Sequence, residues 1–313
     1  MLRSYPEARE PWSDATWIDL CDATEDERLA VERATGLRVP DQSAVREIET
    51  TSRVYTENDA LYLSTPIPAS SNASEPHSAV GFVLTRRLLI SVRFSRNAVF
   101  DSLFQGCEGG LSRSACDVFM RVMEALVDRA ADTLEHCSAE LDGLSHRAFH
   151  ADGVRRRAPK TVSEKLRATL RKLGQIGDHI SQIRDTLLGF GRIAAFVCES
   201  GNAVLSADER PRLSAVRADI NSLNDYQQHL SGKVQFLLDA TLGFISIEQN
   251  DVVKALTIVS VVGVPPVLVG GVYGMNFVHM PELHWVFGYP FALLLMLVTG
   301  LLPLVWFKWR GWM

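Results

Sequence analysis

The feature that most constrains this chain lies towards its C-terminal end: residues 255–281 and 283–307 contain no Asp, Glu, Lys or Arg, and only Glu282 separates the two runs. A bilayer crossing needs about 20 apolar residues, and a helix in a soluble core rarely continues so far without a charge. The pattern predicts two membrane spans, residues 255–273 and 285–307, with Trp285, Tyr289, Trp306 and Trp309 near the water interfaces. Lys254 precedes the first span, Lys308 and Arg310 follow the second, and the connecting loop has no Lys or Arg. This bias puts both ends of the spanning region, and with them both termini, on the cytoplasmic side.

The rest of the 313 residues reads as an ordinary soluble protein, so the mean hydropathy of +0.04 averages over two unlike parts. A formal net charge of -5 gives no support for a nucleic-acid partner, which would want a basic stripe with interleaved aromatics. Five scattered cysteines with no C-x-x-C pair argue against a disulfide framework or a structural zinc site, and fit a reducing compartment. The first 17 residues carry five charges and no apolar core, so no cleavable secretion signal is expected.

Within residues 1–111, short apolar runs at Trp17–Leu20, Ala60–Leu63, Ala79–Leu84 and Leu88–Val92 alternate with turn residues and predict an α/β or α+β domain whose sheet has several antiparallel neighbours. Asn58-Asp59 and Thr85-Arg86-Arg87 read as tight connections, and Pro66–Pro76 as a loop. Thr24 and Glu27 form a capping box, with Gly36 as C-cap, for one early helix. From 112 to 206 the periodicity is helical, with breaks near 151–159 and 199–202, predicting a helical hairpin. From 207 no stop signal precedes the first span, so residues 207–277 read as one stalk helix continuous with it, followed by an external loop at 278–284, the second span, and a basic tail at 308–313.

A helix of about 70 residues would run roughly 105 Å, longer than any single-domain core, and needs partners along its length. Parallel copies from other subunits supply them, so a homo-oligomer is expected. Alternating steps of three and four from Asp239 mark one face: Gly243, Ser246, Asn250, Val253, Thr257, Ser260, Val264, Val267, Gly271 and Gly274. Such a face, polar at one end and apolar across the middle, suits the lining of a central tube. The competing reading is tight helix packing in lipid, which Gly270, Gly271 and Gly274 would also serve.

Immediately after the first span stands Tyr273-Gly274-Met275-Asn276-Phe277, then Met280-Pro281-Glu282-Leu283, Trp285 and Phe287-Gly288-Tyr289-Pro290. This string resembles the CorA family of magnesium transporters, whose signature is Gly-Met-Asn at the outer end of the penultimate span. Trp17-Ile18-Asp19-Leu20 and Ile247-Glu248-Gln249-Asn250 are similar to bacterial members as well. The resemblance implies a funnel-shaped homopentamer in the bacterial inner membrane, with the first span lining the pore and the second outside it. It implies a ring of Asn276 side chains at the entrance that meets hydrated Mg²⁺ through its water shell, with Asp239 and Asn250 as polar pore positions and Val253 and Leu256 at an apolar constriction. Thr257, Ser260, Val264, Val267 and Gly271 complete the expected lining, and Lys254, Lys308 and Arg310 form a basic collar at the inner interface, which ordinary anchoring to lipid headgroups would explain equally well. The chain departs from the family pattern in carrying Val at both 264 and 267, and in having Val278 and His279 where the loop could hold acids, leaving Glu282 to attract cations.

The chemistry agrees. Mg²⁺ dehydrates reluctantly, so a ring of neutral amides can recognise its hydration shell without trapping it. Read alone, Asn276 would be a helix C-cap, and the Met275 thioether is too soft for Mg²⁺. No nucleotide-binding loop is present, so the membrane potential is the expected driving force. Influx of Mg²⁺, with cobalt and nickel as further cargo, gated by intracellular Mg²⁺, is the expected activity, with no cofactor besides the transported and regulatory ion. A zinc transporter of the same superfamily and a non-conducting membrane-anchored scaffold stand as alternatives. An enzyme is not expected, since no Ser-His-Asp, Cys-His or metal-ligand set is found. His146 and His150 share a helical spacing, but no Glu lies between them in a metalloprotease arrangement. Asp219 and Asp239 are the stalk acids considered for Mg²⁺ sensing.

Overall fold

The computed structural model describes residues 1–6, 12, 14–46, 53–68, 77–108, 114–149, 159–201, 204–206, 208–275, 280 and 285–312. They fall into two compact units: Met1–Asp152 with Thr169–Leu238, and Gly153–Ala168 with Asp239–Met313.

The first unit is built on a six-stranded sheet, β1 (Leu2–Tyr5), β2 (Trp17–Cys21), β3 (Val54–Glu57), β4 (Ala60–Pro68), β5 (His77–Leu84) and β6 (Leu89–Arg93), in the order β1-β2-β6-β5-β4-β3. All neighbours are antiparallel except β2 and β6, which pair in parallel with Trp17 opposite Leu89. Asn58 and Asp59 both take positive φ, 49° and 60°, the conformation that joins β3 to β4 in a two-residue hairpin. The loop expected from Pro66 begins later, because β4 continues through Pro68, opposite His77. Among the described residues β3 pairs with β4 only as far as Leu63, and beyond that point a proline nitrogen facing the β3 side costs that ladder nothing. Residues 69–76 lie outside the described residues.

Side-chain alternation sends the sheet into two cores. Trp17, Leu61, Leu63, Val80, Phe82 and Leu89 pack under α3 (Ala98–Glu108), α4 (Ala115–Phe149), α5 (Pro159–Ser200) and the start of α6 (Glu209–Tyr273). Ile18, Leu20, Tyr62, Val83 and Ile90 face the other way, towards α1 (Glu25–Thr35) and the segment around Val39. α1 carries the predicted Thr24–Glu27 capping box and ends at Gly36 with φ 67°. A short α2 (Gln42–Arg46) follows. Where α5 crosses the sheet, a Cβ on Gly189 would overlap Thr65 Oγ1 and stand 2.9 Å from Thr65 Cβ, so the close approach requires glycine.

Beyond the sheet, α4, α5 and α6 share a third core. Ala130, Leu134, Cys137, Leu141 and Leu144 of α4 meet Leu173, Ile176, Ile180, Ile183 and Leu187 of α5, with Leu230, Val234 and Leu237 of α6 closing the seam. The steps of three and four on each helix are those of a coiled coil. α6 begins under firm restraint: Glu209 Oε2 accepts from the Ser206 amide at 2.7 Å and Oε1 from the Ser114 hydroxyl at 3.1 Å, while Arg212 bridges Asp117 (2.7 Å) and Glu124 (2.8 Å) of α4.

The second unit contains the remainder of α6 and α7 (Gly288–Trp309). Both helices are long and apolar enough to cross a membrane, by length and composition. α6 runs through Pro265 and Pro266. Pro266 has no N–H for the carbonyl of Val262, and it is at this point that α7 comes close: a Cβ on Gly300 would stand 3.3 Å from Pro266 Cγ and 3.8 Å from Val262 O. One turn on, Gly270 would bring a Cβ to 3.4 Å from Met296 Cε. Small residues thus permit the contact between the two apolar helices.

Candidate functional site

The line of α6 that meets α7 is Val262, Pro266 and Gly270, spaced four apart. Measured from Pro266 at 3.6 residues per turn, Ser260, Val264, Val267 and Gly271 lie roughly 100–160° around the helix. They therefore turn away from α7, and all four are exposed. The same holds down the helix, where Asp239, Gly243, Ser246, Asn250 and Val253 are exposed and Thr257 is half-buried. Leu256 and Val267, 67% and 75% exposed, are large apolar groups standing free on this face. Of the glycines, Gly270 belongs to the helix contact, whereas a Cβ on Gly271 or Gly243 would meet nothing within 4 Å.

Thr257 Oγ1 donates its hydrogen to the Val253 carbonyl at 2.8 Å, so the hydroxyl offers only lone pairs outward. The face as a whole has acceptor oxygens at Asp239, Ser246, Asn250, Thr257 and Ser260, then valines and a bare glycine backbone. Across the middle, this face has no group that would hold a cation by direct ligation. α6 closes with Gly274 N donating to Gly270 O at 2.9 Å and Met275 N to Val272 O at 3.2 Å, the last turn tightening. Gly274 and Met275 are exposed at this end. Asn276, Val278, His279 and Glu282 lie outside the described residues, as does His150.

The three expected collar cations sit differently. Lys254 Nζ is 3.2 Å from Asp251 Oδ1 on the same helix. Lys308 lies in the last turn of α7, and the Arg310 guanidinium carbon stands 5.5 Å from the centroid of the Trp306 ring. Asp219 is exposed on α6. Among the described residues no group of three His, Cys, Asp or Glu side chains is gathered as a metal site.

Sequence reasoning missed a polar cluster inside the first unit. Asp19 and Arg93, on the parallel pair β2 and β6, are each 1% exposed and joined by three contacts, Nε to Oδ1 at 3.1 Å, Nε to Oδ2 at 3.2 Å and Nη2 to Oδ2 at 2.7 Å. Ser91 Oγ donates to Asp19 Oδ1 at 2.7 Å and accepts from Trp17 Nε1 at 2.9 Å. The signal was the lone acid in Trp17-Ile18-Asp19-Leu20-Cys21, which a strand buried on both faces tolerates only with a partner. Burial alone would lower the Arg93 pKa, but the hydrogen bonds and charge of Asp19 outweigh it and the pKa is raised.

The family described as CorA-like Mg²⁺ transporter protein matches residues 12–309. The magnesium transport protein CorA of Escherichia coli strain K12 is 29% identical over 318 aligned positions, covering 100% of this chain and 96% of that protein. Among solved structures, the complete CorA magnesium transporter of Methanocaldococcus jannaschii superposes with a TM-score of 0.79 at 18% identity, covering 98% of this chain and 95% of that one. The full-length CmaX protein superposes at 0.70 with 16% identity, covering 97% and 90%.

Proposed function

The chain belongs to the CorA-like Mg²⁺ transporter family, and from that premise we propose that it admits Mg²⁺ through a pore lined by α6 from several copies of itself. The observation that carries the reading is the exposed face of α6 from Asp239 to Gly274, which turns away from α7 and is left for neighbouring subunits. Five copies in the bacterial inner membrane, with both termini in the cytoplasm, are the assembly we infer.

In this assembly Asn276, directly after Gly274-Met275, offers a ring of amide oxygens and N–H groups to the water shell of the ion, and Glu282 in the loop raises the local cation concentration. The ion keeps its shell past Gly271 and the valines at 267 and 264. Lower down, the oxygens of Ser260, Thr257, Asn250 and Asp239 take over hydrogen bonding to the shell, around a constriction at Val253 and Leu256. Val264 and Val267 make the middle of the pore dry, which favours brief passage over binding. Lys254, partly neutralised by Asp251, stands with Lys308 and Arg310 in a basic collar at the inner membrane interface. Intracellular Mg²⁺ closes the channel, and Co²⁺ and Ni²⁺ enter by the same outer-shell recognition.

The test is Mg²⁺ uptake into proteoliposomes containing a Mg²⁺-sensitive dye, comparing wild type with Asn276→Ala at matched insertion. Wild type should accumulate Mg²⁺ under an inside-negative potential, and the variant should lose uptake. Entry of Zn²⁺ but not Mg²⁺, or no movement of either ion at low internal Mg²⁺, would overturn the reading.

A further inference from the structure

The transport reading uses one face of α6 and, at the end of α7, the inner-interface cations Lys308 and Arg310; it leaves the apolar outer face of α7 without a role. Val298, Leu301, Leu302, Val305, Trp306 and Trp309 line a shallow apolar groove there. It lies on the side of α7 away from Met296 and Gly300, the residues that meet α6. From Val298 to Trp309 it extends about 16 Å along the axis, close to the roughly 15 Å of hydrocarbon in one leaflet.

The C-terminal end of this groove is positively charged. The Arg310 guanidinium stands over the Trp306 ring, which forms part of the wall, and Lys308 is two residues away. No Asp or Glu occurs in the sequence after Glu282, and among the described residues neither cation has an ion-pair partner. Basic side chains in a last helical turn often serve its free carbonyls. Here the backbone does that work instead: with Gly311 at φ 73°, its amide donates to Lys308 O at 3.2 Å and the Trp312 amide donates to Phe307 O at 3.0 Å. The Trp312 ring stacks on Phe307 at 5.4 Å and locks the turn. Lys308 and Arg310 are thereby left to bind an external anion at the end of an apolar groove one leaflet long.

We propose that this face of α7 is a binding site for one anionic phospholipid of the leaflet at the C-terminal end, with an acyl chain in the groove and the phosphate on Arg310 and Lys308. The proposal rests on the reading that α7 spans the membrane. It is tested by native mass spectrometry of the full chain in detergent, titrated with phosphatidylglycerol and phosphatidylcholine of identical acyl chains. Wild type should retain phosphatidylglycerol in preference, by about fivefold for each contributing cation. The double variant Lys308→Gln, Arg310→Gln should bind the two lipids equally, and Leu302→Trp, which fills the groove, should retain less of both. Equal retention by wild type, a preference that survives the double variant, or unchanged retention by Leu302→Trp each overturns the site. So does dissociation of the oligomer by Leu302→Trp with no lipid lost, which would make the groove a contact between copies. The measurement requires neither ion flux nor a defined orientation, so its failure leaves the transport reading standing and the converse also holds.

Discussion

Asp19 is the charge that the first unit can least easily lose. Its carboxylate sits under the helices on the same sheet face as Trp17, paired with Arg93, while Asp101 on α3 accepts from Arg93 at 3.3 Å and from Arg3 at 3.1 Å. The Arg93 guanidinium also lies over the Phe100 ring at 5.0 Å. A buried pair of this kind adds little net stability over an apolar pair of the same shape, yet removing one partner leaves the other charged and dry. Asp19→Ala should therefore cost about 3–5 kcal/mol, read as a lower denaturation midpoint of the full chain in detergent. A loss below about 1 kcal/mol would mean that water reaches Arg93.

At the scale of elements, the device that matters is the join between α6 and the rest of its unit. Burial pushes the Glu209 pKa up, but hydrogen bonds from Ser206, Cys116 and Ser114 together hold it below the usual glutamate range. A depressed folded-state pKa contributes stability that is present above the unfolded value and disappears as pH falls through the folded one. Glu209→Gln should be less stable than wild type by about 1 kcal/mol near pH 7, and the gap should hold down to about pH 4 and close only below it, followed by thermal unfolding across that range. A gap that does not change with pH would mean that the carboxylate acts by shape alone. The restraint matters because the coiled-coil seam below it is continuous with the helix that carries the candidate pore face.

For the whole molecule, the governing quantity is the work that the membrane potential does on the ion. A divalent cation gains roughly 4.6 kcal/mol per 100 mV, an equilibrium accumulation on the order of a thousandfold. If the assembly is a passive pore, uptake in proteoliposomes should scale with an imposed potassium diffusion potential, fall to the level set by the concentration gradient at zero potential, and reverse when the sign is reversed. Uptake insensitive to potential would require an electroneutral mechanism, with a counter-ion that the proposed pore does not provide.

Much of this was legible in the amino-acid order because it depends on local periodicity. Charge-free runs long enough to cross a bilayer and the Thr24–Glu27 box each state their physics within a few turns of helix. What the order could not reveal was contact between distant segments. The parallel pairing of β2 with β6 brings together Asp19 and Arg93, 74 residues apart, and the extension of β4 through two prolines goes with the point at which its pairing with β3 stops. Gly270 and Gly271 are alike as letters, and only the approach of α7 separates the one that packs from the one left open. Likewise Lys308 and Arg310 read as ordinary interface anchors until the folded-back Gly311 and Trp312 take over the capping of α7. Local order follows from neighbours along the chain, whereas the meaning of a small or charged residue depends on what the fold brings within a few ångströms of it.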